Sequence, residues 1–348
     1  MDEYLDALIK EIDLTFAQVP PRSIQTIYIG GGTPTALSEK QLQVLLEALH
    51  SLVSLESHYE FTMEANPGDL TKEKLAILRE YGVNRLSIGV QSFNDRLLER
   101  IGRKHRVNDV YQSIAMAREE GFTNMSIDLM YALPGQTMND VVHSLQEFFR
   151  LGIEHCSAYS LIVEPKTIFY NLLQRGKLRL PSQDLDADMY ELIMNEMNEH
   201  GYNQYEISNY ARPGYESKHN LVYWNNDEYY GFGAGAHAYL NKTRRANINP
   251  VRKYIQTLAA NQLPINSEIA LTEKDIMEEE MILGLRKNEG VSIARFIDKF
   301  AIDPLKLYQT QIDKLEKNGL IKVVDGFIRL THRGRMLGNN VFMEFIGN

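Results

Sequence analysis

The sequence predicts an α/β protein: a partial (β/α) barrel of the TIM type over residues 1–270, followed by a smaller helical, winged-helix-like unit over 271–348. Three observations predict it. Short runs rich in Val, Ile and Leu alternate with amphipathic helical stretches, the pattern of parallel strands with helices packed outside them. Glycines close several of those helices. From about Thr272 the alternation gives way to successive helical stretches and then to two β-rich runs joined by Asp325-Gly326, a tight hairpin signal.

The chain opens on a helix, with Tyr4, Leu5, Leu8, Ile9 and Ile12 at helical spacing almost from the first residue. Strands are read at 26–29, 60–65, 85–91, 125–131 and 156–163, with a sixth at 204–208. Helices are read at 38–52, 71–81, 108–120, 138–151 and 187–200. Ser38 starts its helix as an N-cap, and Gly82, Gly121 and Gly152 end theirs. Six strand–helix units fit a partial or complete barrel, and an open doubly wound sheet fits the same periodicity. In either, ligands gather beyond the carboxyl ends of the strands. The later helices, 275–286, 293–300 and 305–318, precede strands at 320–324 and 327–331. A packing or lid role suits this unit better than DNA binding, because its recognition region lacks a dense Lys/Arg cluster.

With 348 residues and 44% apolar composition the chain can bury a full core and has room for one large domain and a smaller one. A formal net charge of -9 argues against a general nucleic-acid binder, since a surface that tracks phosphates needs surplus Lys and Arg. The single cysteine, Cys156, excludes a disulfide framework and any site built from several of the chain's own thiolates, and it fits a reducing, cytoplasmic setting. No apolar run reaches the roughly 18–20 residues of a membrane span, so membrane contact is expected to be peripheral at most.

The chemistry gathers at the strand ends. Tyr28-Ile29-Gly30-Gly31-Gly32-Thr33-Pro34-Thr35 runs an apolar strand into three glycines, yet neither a P-loop nor a dinucleotide turn follows, so phosphate is a poor fit. The next strands end at Glu64-Ala65-Asn66-Pro67 and Gln91-Ser92-Phe93, and the fourth carries Asp128. Taken singly, Glu64 or Asp128 reads as a cap or an ion-pair partner; four strands repeating the placement read as a ring around one ligand. Bare amides, two carboxylates and a carboxamide suit ammonium and hydroxyl groups, and Arg103 has the fork that clamps a carboxylate. S-adenosylmethionine carries an amino group, a carboxylate and a ribose, and satisfies every member.

These motifs, with Asp128-Leu129-Met130-Tyr131-Ala132-Leu133-Pro134-Gly135-Gln136-Thr137 and Gly231-Phe232-Gly233-Ala234-Gly235-Ala236-His237, resemble the radical S-adenosylmethionine family of oxygen-independent coproporphyrinogen III oxidases, and most closely its haem-chaperone branch. The resemblance spans essentially the whole chain. It implies cofactor contacts at Gly31, Gly32, Thr33 and Glu64 near the methionyl amino group, at Arg103 for the carboxylate, and at Gln91 and Asp128 for the ribose hydroxyls. Main chain near Ile162 and His237 would border the adenine. The family also implies a 4Fe-4S cluster held by three thiolates in a Cys-x-x-x-Cys-x-x-Cys loop after the first strand. No such loop is present, and Cys156 reads as a small buried hydrophobe. The chain is therefore expected to be a shortened form, without the first strand and cluster loop, of a cluster-bearing protein, a cluster-free form being the other reading. No catalytic residue is assigned, and cleavage of S-adenosylmethionine is not expected of the chain as written.

Lys218-His219-Asn220-Leu221-Val222-Tyr223-Trp224 holds the only tryptophan beside a tyrosine and a histidine. Haem asks for an imidazole and flat aromatic surface, which makes His219, Tyr223 and Trp224 its candidate contacts; a loop hydrogen bond and packed aromatics account for the same residues without a ligand. The resemblance implies a haem chaperone that passes haem to haem-requiring proteins such as respiratory enzymes. An oxidase of porphyrin biosynthesis is the alternative, and a DNA-binding regulator using the C-terminal unit is a third reading. A homodimer is left open.

Overall fold

The structure, a computed structural model, describes residues 1–347. In chain order its first elements are α1 (Asp2–Gln18), β1 (Ile24–Ile29), α2 (Glu39–Leu52), β2 (Leu55–Ala65), α3 (Lys72–Glu80), β3 (Arg85–Gln91), α4 (Asp95–Arg100), α5 (Val107–Glu119), β4 (Met125–Tyr131), α6 (Met138–Leu151) and β5 (His155–Ser160). They continue with α7 (Ile168–Gln174), α8 (Gln183–Glu199), β6 (Asn203–Glu206), β7 (Asn209–Ala211), α9 (Lys218–Trp224), β8 (His237–Leu240), β9 (Thr243–Asn247), α10 (Val251–Ala259) and β10 (Ile265–Ala270). The last are α11 (Glu273–Arg286), β11 (Val291–Ser292), α12 (Ile293–Phe300), α13 (Pro304–Leu307), α14 (Gln309–Lys317), β12 (Ile321–Val324), β13 (Phe327–Leu330), α15 (His332–Met336) and α16 (Gly338–Met343). The chain divides into two compact units, one made of residues 1–25, 43–59 and 217–347, the other of 26–42 and 60–216.

The second unit is built on a seven-stranded sheet in the order β1-β2-β3-β4-β5-β7-β6, the partial α/β barrel that the alternation predicts. β2, β3, β4 and β5 pair in parallel. All of β3 is buried: Leu86, Ile88 and Val90 point to one face, while Arg85, Ser87, Gly89 and Gln91 point to the other. The helices that cover the apolar face are well specified. In α6, Thr137 and Asp140 cap each other's backbone, Val141, Leu145 and Phe148 form the buried stripe, and Gly152 closes the helix left-handed. Ser38 caps α2 reciprocally with Gln41, as its sequence predicts.

One expectation is corrected. The sixth strand does not pair with the parallel strands directly: β7, antiparallel to both β5 and β6, lies between them. Only two residues separate β6 from β7, and a parallel return requires a crossover of a dozen residues or more.

In the first unit, α1 packs on α10 through Ala7, Tyr254 and Leu258, and β8, β9 and β10 form a small antiparallel sheet. Sequence reasoning misses this sheet because β9, Thr-Arg-Arg-Ala-Asn, has neither an apolar run nor alternation, and the apolar run of β8 is only three residues long. The residues after Thr272 give helices and the three-stranded sheet β11-β13-β12, with Asp325 and Gly326 at positive φ in the tight turn expected there. The helix read at 305–318 is two helices that meet at Tyr308. No helix among the described residues is long and apolar enough to cross a membrane.

Candidate functional site

The polar face of the second unit's sheet is continuous because the register aligns it. Glu64 pairs with Ser87, Ser87 with Ser126, Ser126 with His155, and Asp128 with Ser157. Every second residue on each strand therefore faces its polar counterpart on the next strand. Polar groups buried this way need partners, and most of them have one. Ser126 and Tyr205 flank His155 at 2.7 and 2.8 Å, and burial, then Arg85, holds that imidazole well below its usual range, in the neutral form.

At the carboxyl ends of the strands the groups converge. Glu64 accepts hydrogen bonds from the Tyr28 hydroxyl at 2.7 Å and the Gly31 amide at 3.1 Å. Asn66 donates to Thr33 Oγ1 at 3.3 Å and accepts from Arg103 Nη1 at 3.1 Å. Gln91, at φ 68, accepts from the Tyr159 hydroxyl at 3.3 Å. A Cβ on Gly89 would meet Gln91 Nε2 at 3.1 Å, and Arg103 Nη2 and Asn66 Oδ1 at 3.5 Å, so these three side chains meet above one bare backbone position. Asp128 lies 3.5 Å from Ser87 Oγ, and burial, reinforced by the charge of Glu64, pushes its carboxyl up to about 6. Burial and Glu64 likewise raise the Tyr28 phenol, and burial and Asp128 raise that of Tyr159.

The three glycines divide by role. A Cβ on Gly30 would strike the Glu64 carboxyl at 2.5 Å and the Tyr28 ring at 2.6 Å, so this glycine lets Glu64 reach the loop. Gly31 has φ +83, which a side chain resists. No protein atom lies within 4 Å of a Cβ at Gly31 or Gly32, leaving open space for a ligand.

Seven of the nine sequence-derived cofactor positions thus lie on the strand ends or loops of one unit; Gly31, Thr33, Glu64, Gln91, Arg103 and Asp128 share this network, and Gly32 lies between two of them in the glycine loop. Ile162 follows β5 in the same unit and is 75% exposed. His237 begins β8, in the other unit. Tyr28 and Asn66 stand inside the quoted motifs but receive no role from sequence, and Ser87, Ser157 and Tyr159 are missed, although the period-two recurrence in Arg85-x-Ser87-x-Gly89-x-Gln91 and His155-x-Ser157-x-Tyr159 carries the signal for these three.

The network has the donors and acceptors for an ammonium, a carboxylate and hydroxyls, and its glycine loop is open, so the residues fit S-adenosylmethionine. They do not fit a 4Fe-4S cluster. Cys156 is fully buried in β5, burial and then Asp128 raise its thiol well above the usual range, and no further thiol exists in the chain.

The haem candidates sit together on a short helix, α9. Ser217 caps α9, and His219 and Tyr223 fall one turn apart, with Nε2 and the hydroxyl 2.8 Å from each other. Tyr223 stacks edge-on against Tyr229, and burial pushes its phenol up to about 12. The Trp224 indole N–H is buried without a hydrogen-bond partner, and the Arg286 guanidinium lies 4.7 Å over its ring.

Comparison with known proteins bears on both regions. Residues 5–148 match the model of the radical SAM superfamily, and residues 271–337 match the HemN C-terminal domain. In fold, the chain is similar to coproporphyrinogen III oxidase (HemN) from Escherichia coli, with a TM-score of 0.86 and 26% identity over 99% of this chain and 83% of that one. In sequence it is similar to the heme chaperone HemW of Lactococcus lactis, 47% identical over 99% of this chain and 90% of the relative. The corresponding protein of Bacillus subtilis is 50% identical over all 348 residues and 92% of its own length. Half of its residues are shared along its whole length with a protein of that name, so the chain belongs to the heme chaperone HemW family of the radical SAM superfamily.

Proposed function

We propose that the chain is a haem chaperone: it takes up haem on the helix bearing His219, Tyr223 and Trp224 and passes it, in the cytoplasm, to haem-requiring proteins such as respiratory enzymes. The observation that carries this reading is the 50% identity over 348 residues to a protein named heme chaperone. The chemistry supports it. His219 has an imidazole for the iron, and Tyr223 and Trp224 have flat apolar surface for the macrocycle. The His219 nitrogen that now meets the Tyr223 hydroxyl would exchange that hydrogen bond for the metal.

Titration of the full chain with haemin tests this. A shifted Soret band is expected in the wild type, and His219→Ala is expected to weaken binding about tenfold or more. Haemin binding that ignores the His219 substitution would defeat the assignment of this helix. The similarity in fold to an oxidase favours a second reading, oxidative decarboxylation of a porphyrinogen's propionates, which would appear as a decarboxylated product rather than a stable haem complex.

We further propose that Gly31, Gly32, Thr33, Glu64, Gln91, Arg103 and Asp128 bind S-adenosylmethionine, with Ile162 toward its adenine. Bound there, the cofactor would supply a sulfonium-linked adenosyl group. Glu64 would accept from its ammonium, Arg103 would clamp its carboxylate, and Gln91 and Asp128 would orient its ribose. Glu64→Ala is expected to weaken binding by about 1.5–3 kcal/mol, the worth of a hydrogen bond to a charged group, in a calorimetric titration. Equal affinity in the two proteins would remove Glu64 from the pocket.

A further inference from the structure

The C-terminal residues from Thr272 onward hold α9 from behind, with three cations at its C-terminal end and a fourth on its indole. Lys287 Nζ donates to Asn225 Oδ1 at 2.7 Å, Arg295 Nη2 to the Asn225 carbonyl at 2.8 Å, and Lys299 Nζ to the Asn226 carbonyl at 3.2 Å. Asn225 and Asn226 are the residues that end the helix, where carbonyls are left unpaired and the helix dipole is negative. Arg295 also reaches Asp227 at 2.8 Å, and Lys299 is tied to the buried carboxylate of Glu280 at 2.7 Å. Arg286 lies between two rings, 4.7 Å from Trp224 and 5.5 Å from Phe342.

Seven residues make a helix far too short to persist alone, and the side chains of α9 are at most half-buried. Its order therefore draws on its ends as well as on the Tyr223–Tyr229 contact. Ser217 caps the first turn; the cations from α11 and α12 serve the last one, and Arg286 fixes the indole beside them. The contacts these four cations make are to the end of the helix and to its indole, so their effect on a ligand would be exerted through the helix.

We propose that this cation clamp is what the C-terminal region contributes to function: Arg286 and Arg295 are positioning residues that hold α9 ordered, and so set the affinity of the His219 face for its flat, iron-bearing ligand. The affinity half rests on the haem reading above. The clamp itself does not.

The single tryptophan makes both halves measurable on the full chain. In Arg286→Ala and Arg295→Ala, acrylamide is expected to quench Trp224 more strongly in the ligand-free protein, and haemin affinity is expected to fall roughly tenfold while the far-UV spectrum stays native. Arg286→Lys keeps a cation over the indole and is expected to recover most of both effects. Arg295 bonds to the Asn225 carbonyl and to Asp227, whereas it is Arg286 that lies over the indole, so a response of Trp224 to the loss of Arg295 reports the helix end. Unchanged quenching in Arg295→Ala overturns the clamp, whatever the wild type does with haemin. Increased quenching with wild-type, His219-dependent haemin affinity overturns the positioning role while leaving the haem reading standing. A wild type that shows no His219-dependent binding brings down the haem reading, and the affinity half with it.

Discussion

Glu11→Ala is expected to lower the melting temperature by on the order of 10 °C, although Glu11 lies far along the chain from every residue it serves. Its carboxylate, buried inside the first unit, accepts from the Gly233 amide at 2.8 Å, Asn247 Nδ2 at 2.5 Å and the Tyr254 hydroxyl at 2.5 Å. Burial raises its pKa, opposed first by Tyr254, then by Gly233 and Asn247. Alanine would strand three buried donors, each costing about 1–3 kcal/mol, partly relieved by water entering the space; the net cost is about 3–5 kcal/mol. Glu11→Gln keeps the shape but turns an N–H toward donors, and is expected to fall between the two. The same residues join α1 to α10, where Tyr4 and Tyr254 rings meet at 5.5 Å, so proteolysis of the alanine variant should begin in α1. A melting temperature within about 2 °C of wild type would show that the network is dispensable.

That network also marks the limit of what the sequence makes legible. The face of α1 follows from Leu5, Leu8 and Ile12 at helical spacing, but an acidic residue on a surface-like helix gives no sign that its partners lie more than two hundred positions later. The strands of the barrel are readable because buried parallel strands advertise themselves as runs of Val, Ile and Leu, and their helices because caps and closing glycines are local chemistry. The β8–β10 sheet carries the first signal only in three residues of β8, and the insertion of β7 between β5 and β6 is missed because strand pairing is a tertiary property. At the site, the residues within contiguous motifs are legible: Gly31, Glu64, Gln91 and Asp128 each end or line a strand. The roles of Tyr28 and Tyr159 are not, since a tyrosine in an apolar strand reads as core until the register places its hydroxyl beside a carboxylate or a carboxamide.

Asp128→Asn is expected to make the protein more stable at pH 7.5 and worse at holding S-adenosylmethionine. An aspartate in an unfolded chain titrates near 4, whereas folded Asp128 keeps its proton up to about 6, because burial and the neighbouring Glu64 disfavour its charge. Between those values the folded state binds more protons than the unfolded one, so this group's contribution to stability falls as pH rises through the window. At neutral pH the loss amounts to about 3 kcal/mol. Asparagine keeps the shape and a hydrogen-bonding oxygen for Ser157 without the charge. Denaturant titrations of the two proteins should therefore nearly coincide at pH 4 and diverge by pH 7, with the variant the more stable by about 1–3 kcal/mol. Binding should run the other way, because the ionised carboxylate is the stronger acceptor for ribose hydroxyls: wild-type affinity rises from pH 5 to 7.5, and the variant's stays flat and lower. A carboxylate kept at a cost in stability that a ligand's hydroxyls would offset is what a binding group looks like, and one that merely braced the sheet would lose stability on substitution at every pH. A less stable asparagine variant at pH 7.5, or equal affinity for S-adenosylmethionine across the pH range, would assign Asp128 to the sheet and not to the pocket.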